Sequence, residues 1–297
     1  MKLVDGLESG INPIWMGAFL VMRRFVQQGI SPWASAGNQR VLVIAPHPDD
    51  EAVGCAGTLL LHARSGDAVC LAYITDGSRS RAQGLGPEQM RMRRRQEAEA
   101  AASALKASHF EWIGLPEGGW SCEQLGAPLL NVLRKFPPDI IYAPSRVDFH
   151  PEHHKVAHAL ACLLSSHRTE SACAMVRVYQ LQVPLTPVLT NLVADCSSVS
   201  RESAAALQVY QSQSDNIGRA LRMWRYAALC YGVKRNAEEF WQMTADRYCQ
   251  LHRSSPESWH CAAFRGIRYR SFSDPLTYLS GLNERRRLRS TAFGSPN

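Results

Sequence analysis

Short apolar runs closed by turn residues recur along the first half of the chain, at Val41–Ile44, Ala68–Thr75, His109–Leu115 and Asp139–Ala143. Between them lie amphipathic stretches of helix length, at about 53–65, 88–106 and 121–135. Near-continuous apolar strands read as buried on both faces, and strands that alternate with helices are joined by crossovers that leave them parallel. The pattern predicts an α/β fold: a Rossmann-like, doubly wound, mostly parallel sheet with helices on both faces. Ligands of such sheets bind beyond the carboxyl ends of the strands, so the loops after the apolar runs are where chemistry is sought.

Beyond residue 150, His153–Ser166 predicts a helix, Met175–Val183 a strand and Ser200–Gln213 a helix, and a Trp- and Tyr-rich helical pattern covers Arg219–Cys249. Trp224, Tyr226, Tyr231, Phe240 and Trp241 fit the packing of a helix pair better than an aromatic platform for a sugar, because aromatic side chains chiefly supply buried area. The turn-rich stretch Ser31–Asn38 separates an N-terminal helical extension, 1–38, from a single domain over 39–250, and a basic tail, 251–297, reads as irregular and partly wrapped on the surface. Within the extension, Asn12–Gln27 sets Ile14, Trp15, Met16, Phe19, Leu20, Met22, Phe25 and Val26 beside Arg23 and Arg24. Such a helix packs on its own domain, docks a second subunit as an oligomer contact, or makes a peripheral membrane contact; the pattern leaves all three open.

Composition narrows the class. With 45% hydrophobic residues over 297 positions the chain has enough apolar matter for a large core and too much for a disordered protein. Lysine and arginine outnumber aspartate and glutamate 33 to 26, and the runs Arg91–Arg95 and Arg285–Arg289 hold much of the excess. The remainder is near neutral, so no nucleic-acid partner is expected. Nine cysteines form no C-x-x-C pair, which excludes a ribbon-type zinc site and favours reduced, mostly buried thiols of a cytoplasmic protein over a disulfide scaffold. The apolar run Ile14–Met22 falls short of the ~20 residues a spanning helix needs, and Arg23 and Arg24 follow it where a cleavage site would lie. The expected location is therefore cytoplasmic, with the inner face of the membrane compatible with 12–27.

The first apolar run ends in His47-Pro48-Asp49-Asp50-Glu51. Three carboxylates in so short a span repel one another strongly unless a cation is shared between them. After the fourth run comes a second cluster, Asp148-Phe149-His150-Pro151-Glu152-His153-His154. Both loops leave the same carboxyl edge of the sheet and can converge although about 100 residues separate them. Imidazole and carboxylate donors together suit Zn²⁺, with Fe²⁺ or another divalent transition metal also served. No Ser-His-Asp or Cys-His arrangement competes, and Gly54 with Gly57 lacks the Lys-Ser/Thr ending of a phosphate loop.

Pro-His-Pro-Asp-Asp-Glu after an apolar strand, with His-Pro-Glu-His further on, resembles the LmbE-like, or PIG-L, family of metal-dependent N-acetylglucosaminyl deacetylases. Thr75-Asp76-Gly77, Arg94-Arg95-Gln96-Glu97, Leu115-Pro116-Glu117-Gly118 and Tyr210-Gln211-Ser212-Gln213 resemble further stations of that pattern, and the likeness spans about Gln39 to Phe240. It implies that His47, Asp50 and His153 bind the metal, that Asp49 is the general base, and that His150 polarises or protonates near the substrate carbonyl and leaving nitrogen. Arg94 and Glu117 are implied to contact sugar hydroxyls, while Glu152 and Asp148 serve outside the ligand set, Glu152 as a carboxylate that orients an imidazole. Glu152 stands where Asp is common, and His154 offers a rival ligand one position along. The expected function is hydrolytic removal of an N-acyl group, acetyl foremost, from a GlcNAc-type sugar or its conjugate as the small-molecule partner. Another N-acylated small molecule, or sugar binding without catalysis, stands as the alternative.

Overall fold

A computed structural model describes residues 13–14, 16–21, 23, 29–148, 150–167, 175–253 and 282–293. Eight strands form one sheet: β1 (Ser31–Pro32), β2 (Arg40–Ala45), β3 (Ala68–Thr75), β4 (His109–Leu115), β5 (Ile140–Pro144), β6 (Met175–Tyr179), β7 (Leu192–Asp195) and β8 (Ala237–Thr244). Their order is β1-β7-β8-β6-β5-β2-β3-β4, and all pairings are parallel except those of β8 with β6 and β7. The expected doubly wound, mostly parallel α/β fold is therefore present, as a mixed sheet.

Alternate residues of the central strands feed two cores. Leu42, Ile44, Cys70, Ala72 and Ile74 point into one, and Val41, Val43, Val69, Leu71 and Tyr73 into the other. Each fully buried aliphatic side chain contributes about 1.5–3 kcal/mol, so strands apolar at every position are stable only between two helical layers. Helix α1 (Asp50–Arg64) lies close on the sheet: a Cβ at Gly54 would collide with the Tyr179 ring, and one at Gly57 would meet Cys196 at 2.5 Å. These two glycines thus serve close packing. The sheet winds outward from β2 in both directions, toward β3 and β4 on one side and β5 and β6 on the other. That reversal opens a crevice at the carboxyl ends of β2 and β5, where the loops carrying the two His/acid clusters emerge.

The pattern over Arg219–Cys249 is not one run of helix. It comprises the end of α7 (Ser214–Tyr231), strand β8, and the start of α8 (Ala245–Arg253). The strand has no polar/apolar alternation because its two glutamates are buried: Glu238 accepts from Gly57 N, Thr58 N and Thr58 Oγ1 at 2.7, 2.8 and 2.6 Å, and Glu239 Oε2 accepts from Thr190 Oγ1 at 2.7 Å. Trp224, Phe240 and Trp241 are core residues with at most 1% exposure, which removes them as a sugar platform. The segment Leu282–Phe293 is helix α9, with Leu288 and Arg285 wholly buried and Arg285 Nη2 donating to the Pro184 carbonyl at 2.7 Å. This part of the expected surface tail therefore belongs to the core; residues 254–281 lie outside the described residues.

The arginine run on α2 (Pro87–Ala104) is largely self-neutralised: Arg91 pairs with Glu88, Arg93 with Glu97 and Arg95 with Glu99 at 2.6, 2.8 and 3.0 Å. In the N-terminal stretch Phe19 is buried and stacked on Tyr226, whereas Ile14, Leu20 and Val21 are exposed; Trp15, Met22, Arg24, Phe25 and Val26 lie outside the described residues. Five of the described cysteines, Cys55, Cys70, Cys196, Cys230 and Cys249, are buried free thiols. Among the described residues no helix is long and apolar enough to cross a membrane.

Candidate metal centre and active site

The loop after β2 closes on itself before entering α1. His47 N donates to Asp50 Oδ2 at 2.8 Å and Asp50 N donates to the His47 carbonyl at 3.2 Å, which fixes both side chains on the crevice. Asp49 sits at the turn with φ +130° and ψ −22°, a conformation that residues other than glycine seldom adopt. The loop after β5 ends at His150, the N-cap of α4 (Pro151–Ser166), whose Nδ1 accepts from Glu152 N at 3.3 Å. Asp148 braces this loop by accepting from His150 N at 2.9 Å and from Gln182 N at 3.2 Å.

Three donor atoms from the two loops form a nearly equilateral triangle. His47 Nδ1 lies 3.2 Å from Asp50 Oδ2, His153 Nε2 lies 3.3 Å from His47 Nδ1, and His153 Nε2 lies 3.4 Å from Asp50 Oδ2. Tetrahedral bonds of ~2.0–2.1 Å put neighbouring ligand atoms ~3.3–3.4 Å apart, so the trio fits one face of a Zn²⁺ coordination tetrahedron. The far nitrogens of both imidazoles meet carboxylates: Glu152 Oε2 lies 2.6 Å from His47 Nε2 and Asp148 Oδ2 lies 3.0 Å from His153 Nδ1. Glu152 is itself anchored, accepting from Gly118 N at 2.6 Å and Trp120 Nε1 at 2.9 Å. His154 Nε2 instead contacts the Asp148 carbonyl, away from the triangle. Two looser sets, with donor atoms within 4.8 Å of one another, share His47: one with His150 and His153, the other with Glu117 and Glu152.

Charge explains why the trio holds together. Burial alone would depress the imidazole pKa values, but hydrogen bonds to Asp50 and Glu152 raise His47 to about 9, and Asp148 and Asp50 raise His153 to about 10. Burial pushes the Asp50 carboxyl up, yet the charge and hydrogen bonds of the two imidazoles hold it well below its ordinary value. In the metal-free protein at pH 7 both histidines therefore carry an extra proton, which must leave before their nitrogens can ligate. Metal uptake at pH 7 is expected to release about two protons per ion, and affinity should rise with pH up to about 10, as first His47 and then His153 ceases to hold the competing proton. Calorimetry in buffers of different ionisation enthalpy measures this, and release of fewer than one proton would contradict the imidazole pair as ligands.

The remaining residues differ in part from expectation. Burial, with the positive His153 and His47 beside it, lowers His150 to about 4, so this ring is neutral rather than protonated at pH 7. Since its Nδ1 accepts from a backbone N–H, its proton sits on Nε2 as a donor. Arg94, only 3% exposed, is not simply a rim residue: its Nη2 donates to Asp49 Oδ1 at 3.1 Å, while its Nε and Nη1 have no partner among the described residues. Burial raises the Asp49 carboxyl above its ordinary value, against the pull of the Arg94 charge. Glu117 Oε2 accepts from Arg79 N at 2.9 Å and its Oε1 lies 3.8 Å from His47 Nε2. These groups line a cavity of about 200 Å³ that adjoins a second of about 420 Å³ through Arg79, Glu117 and His150. Sequence reasoning missed Arg79, Ser80, Gln182 and Asn216 on the wall, which carry no motif, and assigned no role to Gln213, which does.

Residues 42–163 match the family described as PIG-L: GlcNAc-PI de-N-acetylase. No curated protein sequence matches the chain significantly. Among solved structures, N,N'-diacetylchitobiose deacetylase from Pyrococcus horikoshii superposes with TM-score 0.60 at 23% identity, over 81% of this chain and 94% of that one. A conserved protein from Thermus thermophilus gives 0.58 at 26%, over 68% and 93%. The 4-carboxy-2-hydroxymuconate hydratase from Pseudomonas putida gives 0.56 at 20%, over 69% and 95%. A deacetylase and a hydratase on one fold mean that the fold by itself selects no reaction.

Proposed function

We propose that the protein, whose residues 42–163 match the PIG-L family of GlcNAc-PI de-N-acetylases, is a metal-dependent hydrolase that removes the N-acetyl group from a GlcNAc-type amino sugar or its conjugate. The observation that carries the reading is the His47, Asp50 and His153 triangle, with edges of 3.2–3.4 Å, beside an Asp49 carboxylate that takes no part in it. The substrate class is supported by the family's description as a GlcNAc-PI de-N-acetylase and by the similarity to an N,N'-diacetylchitobiose deacetylase.

His47, Asp50 and His153 would hold a divalent ion, Zn²⁺ or Fe²⁺, which would supply Lewis acidity to the substrate carbonyl and to a water. Asp49 takes the proton of the attacking water at the oxygen not engaged by Arg94 and delivers it to the nitrogen as the C–N bond breaks. His150 donates from Nε2 to the carbonyl oxygen as negative charge grows there, which a neutral imidazole does without reorganisation. The free donors of Arg94 and the Glu117 carboxylate pair with sugar hydroxyls, and an unpaired buried group of this kind costs about 1–3 kcal/mol.

The test joins metal analysis to an amine-release screen over N-acetylated sugars, free and glycosidically linked. About one metal per chain is expected. The expected preference in kcat/KM for an N-acetylhexosamine over an acyclic acetamide is ~10⁴, the scale seen where a site hydrogen-bonds substrate hydroxyls. Glu117→Ala should shrink that preference. Equal rates on both substrates, or a preference untouched by Glu117→Ala, would leave an amidohydrolase with no sugar specificity.

A further inference from the structure

One motif remains without a role in this chemistry, the stretch Tyr210-Gln211-Ser212-Gln213. It lies about 160 residues from the first cluster, yet it is fastened to three elements around the crevice. Tyr210 OH donates to Glu51 Oε1 at 2.5 Å, Ser212 Oγ donates to Glu97 Oε2 at 2.6 Å, and Gln213 Nε2 donates to Ser80 Oγ at 2.8 Å. Glu51 and Tyr210 are each wholly buried, and neither lines the cavity.

We propose that the buried Glu51–Tyr210 pair is a positioning device that holds the Asp49 backbone in its left-handed conformation and so aims its carboxylate; the inference rests on the reading of Asp49 as the base. The connections close into a ring. Glu51 Oε2 accepts from Asp49 N at 3.3 Å, and its other oxygen accepts from Tyr210. The Tyr210 ring faces the Arg94 guanidinium at 5.8 Å, and Arg94 Nη2 returns to Asp49 Oδ1 at 3.1 Å. Asp49 is thus gripped at both its backbone nitrogen and its carboxylate by groups that converge on Tyr210. A non-glycine residue at φ +130° persists only where its surroundings over-determine it, and these two contacts do so. Glu97, three residues beyond Arg94 on α2, accepts from both Ser212 N and Ser212 Oγ at 2.9 and 2.6 Å, so Tyr210 and Arg94 keep a common footing. Tyr73 OH, 3.4 Å from Tyr210 OH, gives the phenol a second neighbour.

A merely structural pair would move stability alone, whereas a positioning pair moves kcat. Tyr210→Phe deletes the hydroxyl and keeps the ring beneath Arg94. It should lower kcat about 10- to 100-fold, the scale of a small misplacement of a reacting group, with KM within about twofold and metal content unchanged. Glu51→Leu should do the same. Glu51→Gln keeps an oxygen for Asp49 N–H and an amide that can donate to the Tyr210 oxygen, and should restore most of the rate. Crystal structures of the Tyr210→Phe and wild-type proteins give a readout independent of turnover, in which Asp49 φ should leave the left-handed region in the variant. Unchanged kcat in Tyr210→Phe, an Asp49 φ that stays near its wild-type value, or Glu51→Gln as impaired as Glu51→Leu would overturn the proposal. If instead Asp49→Asn proves as active as wild type, the base assignment fails, and the crystallographic φ still decides whether the pair holds the turn.

Discussion

Asp49→Asn is expected to lower kcat by about 10²-fold or more while metal content stays at the wild-type level. Asparagine matches the size of the side chain and can still accept from Arg94 Nη2 through its amide oxygen, so the 3.1 Å contact has a ready substitute. What disappears is the capacity to take a proton. The carboxyl of Asp49 lies above its ordinary value through burial and is drawn back by the Arg94 charge, so it is a stronger base than an exposed aspartate. Metal analysis run beside turnover separates two failures. Near-wild-type rates would remove Asp49 from the mechanism, and loss of metal would make it a ligand.

His153→Ala should abolish stoichiometric metal binding, and activity with it, whereas His154→Ala should leave metal content close to wild type. Losing an outer carboxylate partner of a ligand costs ~10–100-fold in affinity, and losing the ligand itself costs more. The contrast follows from direction. His153 Nε2 faces both Asp50 Oδ2 and His47 Nδ1 at 3.4 and 3.3 Å, while His154 Nε2 is engaged by the Asp148 carbonyl. Removing His153 also leaves the wholly buried Asp148 carboxylate without its imidazole partner, so a loss of thermal stability should accompany the loss of metal. Full metal occupancy in His153→Ala with loss in His154→Ala would move the ligand one position along the helix.

Legibility in the sequence varied with how local the cause was. Strands β2 to β5 and helices α1 and α2 were readable because each carries its own periodicity: a strand buried on two faces is apolar throughout, and a crossover helix shows a 3.6-residue stripe. Strand β8 was hidden because Glu238 and Glu239 are buried against Gly57, Thr58 and Thr190, partners 49 to 181 positions away. Two acidic residues in a row read as solvent-facing unless those partners are known. Helix α9 was hidden for the same reason, since Arg285 is buried through a bond to the carbonyl of Pro184.

The sequence by itself determined the fold class and the donor chemistry of the crevice. Both are written in short windows, as apolar periodicity and as imidazoles and carboxylates crowded at strand ends. Only the tertiary structure decided which nitrogen of each imidazole faces the centre, that His150 is neutral, that Arg94 is tied to Asp49, and that Glu51 reaches Tyr210. These depend on sheet order, on helix phase and on the loss of water around each group. None of the three is a property of neighbouring residues: the order β6-β5-β2-β3 brings residue 47 to residue 153, the phase of α4 turns His153 inward and His154 aside, and burial then sets which protons stay.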